Sequence, residues 1–162
     1  MWNNLNPRNI FMALCCLLLV VSCRPGRTSQ GSTSNEMTEQ TEFITLAKGV
    51  YSGIEEKKYV IVTSQDEWEK LWAKVHKFIT PAPAPPMIDF SSGTVIGVFM
   101  GTRPTGGYSI EIDKLRSCDD RIKAIVKSRS PAPQDMVTTA LTRPYHIISI
   151  ENTGMEIEFI EK

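Results

Sequence analysis

Three kinds of apolar pattern divide the chain. An unbroken apolar run, Ile10 to Val21, follows the short, mostly polar stretch Met1 to Asn9. From Arg24 to Gln40 large apolar residues almost vanish among Ser, Thr, Gln, Gly and Asn. Such a segment buries too little surface to offset the entropy of ordering, so it reads as a flexible tether. From Phe43 onward short apolar periods recur to the C-terminus. Phe43–Ala47 and Lys57–Thr63 are rich in β-branched and aromatic residues and are separated by Tyr51-Ser52-Gly53, which predicts two strands with a turn between them.

Helical spacing occurs once with a start signal. Ser64-Gln65-Asp66-Glu67 has the form of a capping box, and Trp68, Leu71, Trp72 and Val75 follow at i, i+3, i+4 and i+7. The pattern predicts an amphipathic helix whose indole-bearing stripe packs on a sheet. Pro81-Ala82-Pro83-Ala84-Pro85-Pro86 cannot continue it and reads as a stiff extended connector. Beyond lie Thr94–Met100, nearly continuous in apolar residues and hence a buried central strand, and Tyr108–Ile112, which alternates as a strand with one wet face should. Ile122, Ala124 and Val126 alternate with mostly charged residues to give a further strand. Tyr145–Glu151 and Met155–Ile160 flank Asn152-Thr153-Gly154 and predict a hairpin. The expected fold class is α+β, a mainly antiparallel sheet of about seven strands with one amphipathic helix packed on it.

The N-terminal run has the length of a signal-peptide core. Its twelve residues span about 18 Å as a helix, well short of a bilayer core of roughly 30 Å. Val20-Val21-Ser22-Cys23 resembles a bacterial lipobox: aliphatic residues, then a small residue, then cysteine at the end of the apolar core. The resemblance implies a signal over residues 1–22, cleavage before Cys23, and a diacylglycerol on its sulfur that holds the protein to a membrane. Residues 23–40 then form the lipidated tether and 41–162 the folded domain. Arg24, in place of an aspartate after the lipid site, points to the outer membrane. The expected location is therefore the bacterial cell envelope.

Cysteine usage adds a constraint, because Cys15 and Cys16 leave with the signal and Cys23 is acylated. Cys118 remains, and no intramolecular disulfide is expected. The domain must rest on its core, and about 120 residues suffice for one. The chain has 18 basic and 18 acidic residues, interspersed, and no basic patch with interleaved aromatics, so nucleic acid is not an expected partner.

Catalytic constellations are scarce. His76 lies near the end of the predicted helix and His146 lies beside Ile147, Ile148 and Ile150, neither with a sequence partner that marks a triad or metal site. Cys118 precedes Asp119 and Asp120, whose charges disfavour a thiolate, and no calcium-loop spacing follows. A non-enzymatic protein without catalytic residues, metal or cofactor is expected. Two loops stand out instead. Gly101-Thr102-Arg103-Pro104-Thr105-Gly106-Gly107-Tyr108 has adjacent glycines that permit positive φ, and Ser128–Pro144 is longer than most connections.

These loops carry a resemblance. Gly-x-Arg-Pro-Thr-Gly-Gly-Tyr-Ser-Ile-Glu-Ile, then Pro-x-Pro, then Val137 to Ile148 with Arg143-Pro144-Tyr145, is similar to the PrcB C-terminal domain family of protease-complex lipoproteins. The Ser64–Trp72 helix resembles the helix that precedes those strands in the family, so the likeness spans Phe43 to Lys162. It implies a non-catalytic lipoprotein that binds another envelope protein, with an exported protease as the partner suggested by the family name. The candidate contact residues are Arg103, Thr105, Gly106, Gly107, Tyr108, Arg143, Pro144 and Tyr145. A partial likeness to the loops of chagasin-type cysteine-protease inhibitors adds a loop-based protease inhibitor as an alternative. Arg103 and Tyr145 depart from that pattern, no counterpart of its glycine-rich third loop is present, and the amphipathic helix has no place in that all-β fold. A structural envelope lipoprotein whose loops merely close hairpins is the other alternative.

Overall fold

The computed structural model describes residues 39–118 and 120–162. The expected signal, the lipobox cysteine Cys23 and most of the tether lie outside the described residues. The elements run β1 (Glu39–Thr41), β2 (Ile44–Gly49), β3 (Lys58–Val62), α1 (Gln65–Val75), β4 (Gly93–Phe99), β5 (Ser109–Cys118), β6 (Arg121–Arg129), β7 (Tyr145–Glu151) and β8 (Glu156–Glu161). Glu39 and Gln40, assigned by composition to the tether, pair with Ser117 and Arg116 of β5.

The strands form two four-stranded sheets, ordered β1-β5-β6-β8 and β2-β7-β4-β3, where one sheet was expected. Pairing is antiparallel except between β6 and β8. The α+β class stands, with an eighth strand added. The predicted hairpin of β7 and β8 does not form. Gly154 does take positive φ, at 69°, but the chain crosses there from one sheet to the other. Both faces of β7 explain this. Tyr145 and Ile147 face the helix side, while His146, Ile148 and Ile150 face the opposite sheet, so β7 must be interior, between β2 and β4. In β8 only Ile157 and Phe159 face the core, as suits an edge strand.

Two cores result, and β4 and β7 feed both. Between the sheets lie Ile96, Val98, Ile110, Ile112, Leu115, Ile122, Val126 and Ile148. Between the second sheet and α1 lie Val62, Val95, Phe99, Tyr145 and Ile147 with the helix stripe Trp68, Leu71, Trp72 and Val75, all four buried as their spacing predicts. The Ser64 hydroxyl caps the helix by accepting from Glu67 N at 3.4 Å. The indoles donate to carbonyls of the proline connector, Trp68 to Pro86 at 3.0 Å and Trp72 to Pro83 at 2.7 Å. A proline-rich extended chain has no internal hydrogen bonds, so its carbonyls are free to accept.

The seams between the sheets are crossed by polar contacts. At one, Glu161 of β8 accepts from Lys57 at 2.5 Å, Tyr59 at 2.9 Å and Ser128 at 2.8 Å. Those donors pull its carboxyl down to about 2. At the other, Lys48 of β2 pairs with Glu111 of β5.

Candidate functional site

One end of the sandwich gathers the connections after β2, after β4 and after β6. The two segments singled out in sequence meet there. Arg103 and Thr142 exchange backbone bonds, Arg103 N to Thr142 O at 2.7 Å and Thr142 N to Arg103 O at 3.0 Å, and the Thr142 hydroxyl donates to Thr105 O at 2.7 Å. Gly106 N donates to Thr138 O at 2.9 Å. The 50–57 connection completes the arrangement, with Arg143 N donating to Val50 O at 2.7 Å, Ser52 N to Arg143 O at 3.1 Å, and Thr102 N to Glu55 O at 2.9 Å. Three loops are thus tied into one surface by backbone hydrogen bonds, which fixes the side chains that project from it.

The glycine pair is explained by this close approach. A Cβ on Gly106 would lie 2.5 Å from Thr138 Oγ1, and Gly107 sits at φ 83° against Pro131 and Val137. Its immediate role is to let the 131–138 segment lie on the 103–108 loop.

The remaining expected contact residues divide by exposure. Arg103 is half-buried, donates from Nη2 to Met100 O at 2.9 Å, and lies over the Tyr108 ring at 5.8 Å. Its Nε is buried with no hydrogen-bond partner among the described residues. Tyr108 is half-buried against the inter-sheet core, and Thr105 is half-buried with its hydroxyl donating to Gly106 O at 3.1 Å. Pro144 and Tyr145 are buried: the Tyr145 ring stacks on Phe99 in the helix-side core, and burial pushes its phenol up. Their side chains therefore offer no surface to a partner.

Arg143 stands at the centre of what is exposed. Its guanidinium donates to Thr102 Oγ1 at 3.0 Å, approaches Glu55 at 3.4 Å, and lies over the Phe78 ring at 5.6 Å. Around it Tyr51 and Phe78 are each 62% exposed, and Val50 and Leu141 are also open to solvent. Tyr51 joins Arg143 through a parallel bridge. An arginine over an exposed aromatic ring, with exposed Tyr51, Val50 and Leu141 at neighbouring backbone positions, has the composition that protein interfaces concentrate at their centres. Tyr51, Phe78 and Leu141 were not anticipated. Each lies in a turn or loop, where no periodicity marks a side chain, and an exposed apolar residue in a turn was the only signal.

Both histidines are buried. His76 Nδ1 lies 3.0 Å from Trp72 O, and its ring lies 4.1 Å from the Trp72 ring. His146 bridges the sheets: Ile112 N donates to its Nδ1 at 3.0 Å, so the proton is on Nε2, which donates to Thr45 Oγ1 at 3.0 Å. Burial, then the nearby Lys48, lowers its pKa to about 4, against the smaller opposing effect of Glu111. No group of three His, Cys, Asp or Glu side chains suited to a metal is found among the described residues.

Residues 94–151 match the family model described as PrcB C-terminal. The matched segment runs from β4 through β7 and contains both loops of the tied surface, so the family resemblance of the sequence holds over this region. Comparison with curated proteins and with solved structures gave no match.

Proposed function

We propose that this protein, with its PrcB C-terminal segment, is a lipid-anchored accessory module of the bacterial cell envelope that binds a partner protein through its loop end, without chemistry of its own. The family name makes an exported protease the partner to look for. Cys23 supplies the anchor in this reading, with the outer membrane as its site, and the tether lets the domain reach a partner on the same membrane.

The observation that carries the reading is exposed Tyr51, Phe78 and Leu141 beside half-buried Arg143, on a backbone already fixed by hydrogen bonds. A preorganised surface loses little entropy on binding, and arginine with aromatic side chains is what interfaces concentrate at their centres. A purely structural lipoprotein draws support from a different observation. The Gly106-Gly107 pair is accounted for by packing, and Pro144 and Tyr145 are buried.

Cross-linking in the native envelope separates the two. The whole protein and its Tyr51→Ala/Phe78→Ala variant are cross-linked, captured and compared by quantitative mass spectrometry. A protease or other envelope protein captured by the wild type and depleted in the variant, at equal thermal midpoint, supports the binding reading. Equal capture by both leaves the structural one. Cys23→Ser should release the protein from the membrane fraction.

A further inference from the structure

The opposite end of the sandwich holds a cleft of about 590 Å³ that the loop surface does not touch. Volumes of this order accept a few side chains or a small ligand, not a globular face. Phe43, Ile44 and Leu46 line it from around the start of β2, Met87 and Ile88 from the segment before β4, and Ile150 from β7. Although large and apolar, Ile44 is 69% exposed and Met87 is 99% exposed.

Charge narrows the ligand. Glu42, Asp89 and Glu151 line the cleft, and none of the described residues lining it is a lysine, arginine or histidine. None of the three carboxylates has an ion-pair partner among the described residues; Asp89 accepts from Ser91 N at 3.0 Å, Ser91 Oγ at 2.6 Å and Ser92 Oγ at 3.0 Å, and Glu42 and Glu151 carry the open charge. Unpaired charge of one sign around an apolar trough repels fatty acids, anionic lipid headgroups and acidic peptides, and attracts cations. The carboxylates come from three separate segments: the β1–β2 connection, the stretch before β4, and the end of β7. That spread suits a chain carrying spaced positive charges better than a small amphiphile carrying one.

We propose that this cleft binds an extended peptide segment of a partner protein in which a large apolar side chain is flanked by Lys or Arg. The apolar side chain fills the trough between Ile44 and Met87, and the cations meet the rim carboxylates. The site is separate from the loop end and stands whether or not that end binds a partner.

A random heptapeptide phage library panned on the whole protein tests it, because the composition of the enriched peptides is itself the readout. The expected enrichment is Lys or Arg beside Leu, Ile, Val or Phe. A fluorescein-labelled synthetic copy of the most enriched peptide should bind by anisotropy more weakly at higher salt. Its affinity should fall roughly tenfold or more in Glu42→Lys/Glu151→Lys and also fall in Met87→Asp. All three positions are exposed, so thermal midpoints should stay unchanged and a lost signal means a lost site. Enrichment of acidic or uncharged peptides, no enrichment over an unrelated protein, or an affinity equal in the variants would overturn the proposal. So would self-association in sedimentation that Met87→Asp abolishes, since the occupant would then be a second copy.

Discussion

The two ends of the sandwich solve opposite problems with the same strands. At the loop end, backbone bonds among residues 50–55, 102–106 and 138–143 close the surface, and side chains stand out from it around Arg143. At the other end the connections leave a trough, walled by apolar side chains and rimmed by carboxylates without cations. One end presents knobs and the other a hole, and their charge character differs as well. Closing a surface with backbone bonds requires chains to approach closely, which is where the glycines are used. Leaving a cleft requires a wall held from elsewhere, and the wall carrying Met87 and Ile88 follows directly on the proline connector that Trp68 and Trp72 hold.

That dependence gives the largest expected effect. Trp68→Ala removes a fully buried indole and its bond to Pro86 O, and should cost about 3–5 kcal/mol in urea unfolding. Under conditions where the variant stays folded, the cleft should lose its peptide while the loop end keeps its partner. Equal loss at both ends would mean that the connector does not hold the cleft wall separately from the rest.

Next comes pH, which acts on stability through the seam between the sheets. His146 has a folded pKa of about 4 against an ordinary value of 6.5, so the unfolded chain binds more protons between those values. The stability it contributes is full above about 6.5 and is lost as pH falls toward 4. The loss should reach about 2–3 kcal/mol, from the free energy of each pKa unit. Protonated Nδ1 would face the Ile112 N–H instead of accepting from it. Urea midpoints between pH 7 and pH 4 should fall in wild type and fall much less in His146→Leu, which starts from a lower value. Glu161 acts in a lower window, because its depressed carboxyl contributes above 4.5 and loses that contribution only toward about 2.

Gly107→Ala comes third and touches the loop end alone. With φ at 83° and a Cβ placed 2.9 Å from Val137 Cγ1, it should cost about 1–2 kcal/mol. Hydrogen exchange should rise in residues 102–106 and 138–143 and stay unchanged around Gly93 and Glu151. Unchanged exchange at both ends would show that the glycine does not govern how the loops lie on each other.

Much of this was legible in sequence, for physical reasons that differ by element. The helix was plain because four apolar residues at helical spacing and a capping serine agree. The interior place of β4 was plain because its residues are apolar on both faces. The same sign was present in β7, where Tyr145, Ile147, Ile148 and Ile150 span both faces. Gly154 drew attention to a turn instead, and a positive-φ glycine says only that the chain bends, not which strand it pairs with next. The division into two sheets was not legible, because alternation reports one buried face and is silent about which sheet covers it. The loop pair was found through composition, but its exposed centre was not. Tyr51 and Phe78 acquire meaning only when folding brings Arg143 beside them.

The smallest effect on stability should be the most informative about function. Tyr51→Ala and Leu141→Ala alter side chains that are largely exposed, and surface changes of this kind shift stability by about 0.5 kcal/mol or less. Tyr108 is a poorer probe, because its ring packs on the inter-sheet core and truncation would mix folding with binding. Arg143 is intermediate, since losing it also frees Thr102 and Glu55. If the loop end is a contact surface, Tyr51→Ala should lower partner capture several-fold, in the range of a hot-spot truncation, while the peptide affinity of the cleft stays at its wild-type value. Capture unchanged in both single variants and in their combination would make the loop end a closed turn region. The comparison would then reverse, with the cleft as the end that meets other proteins.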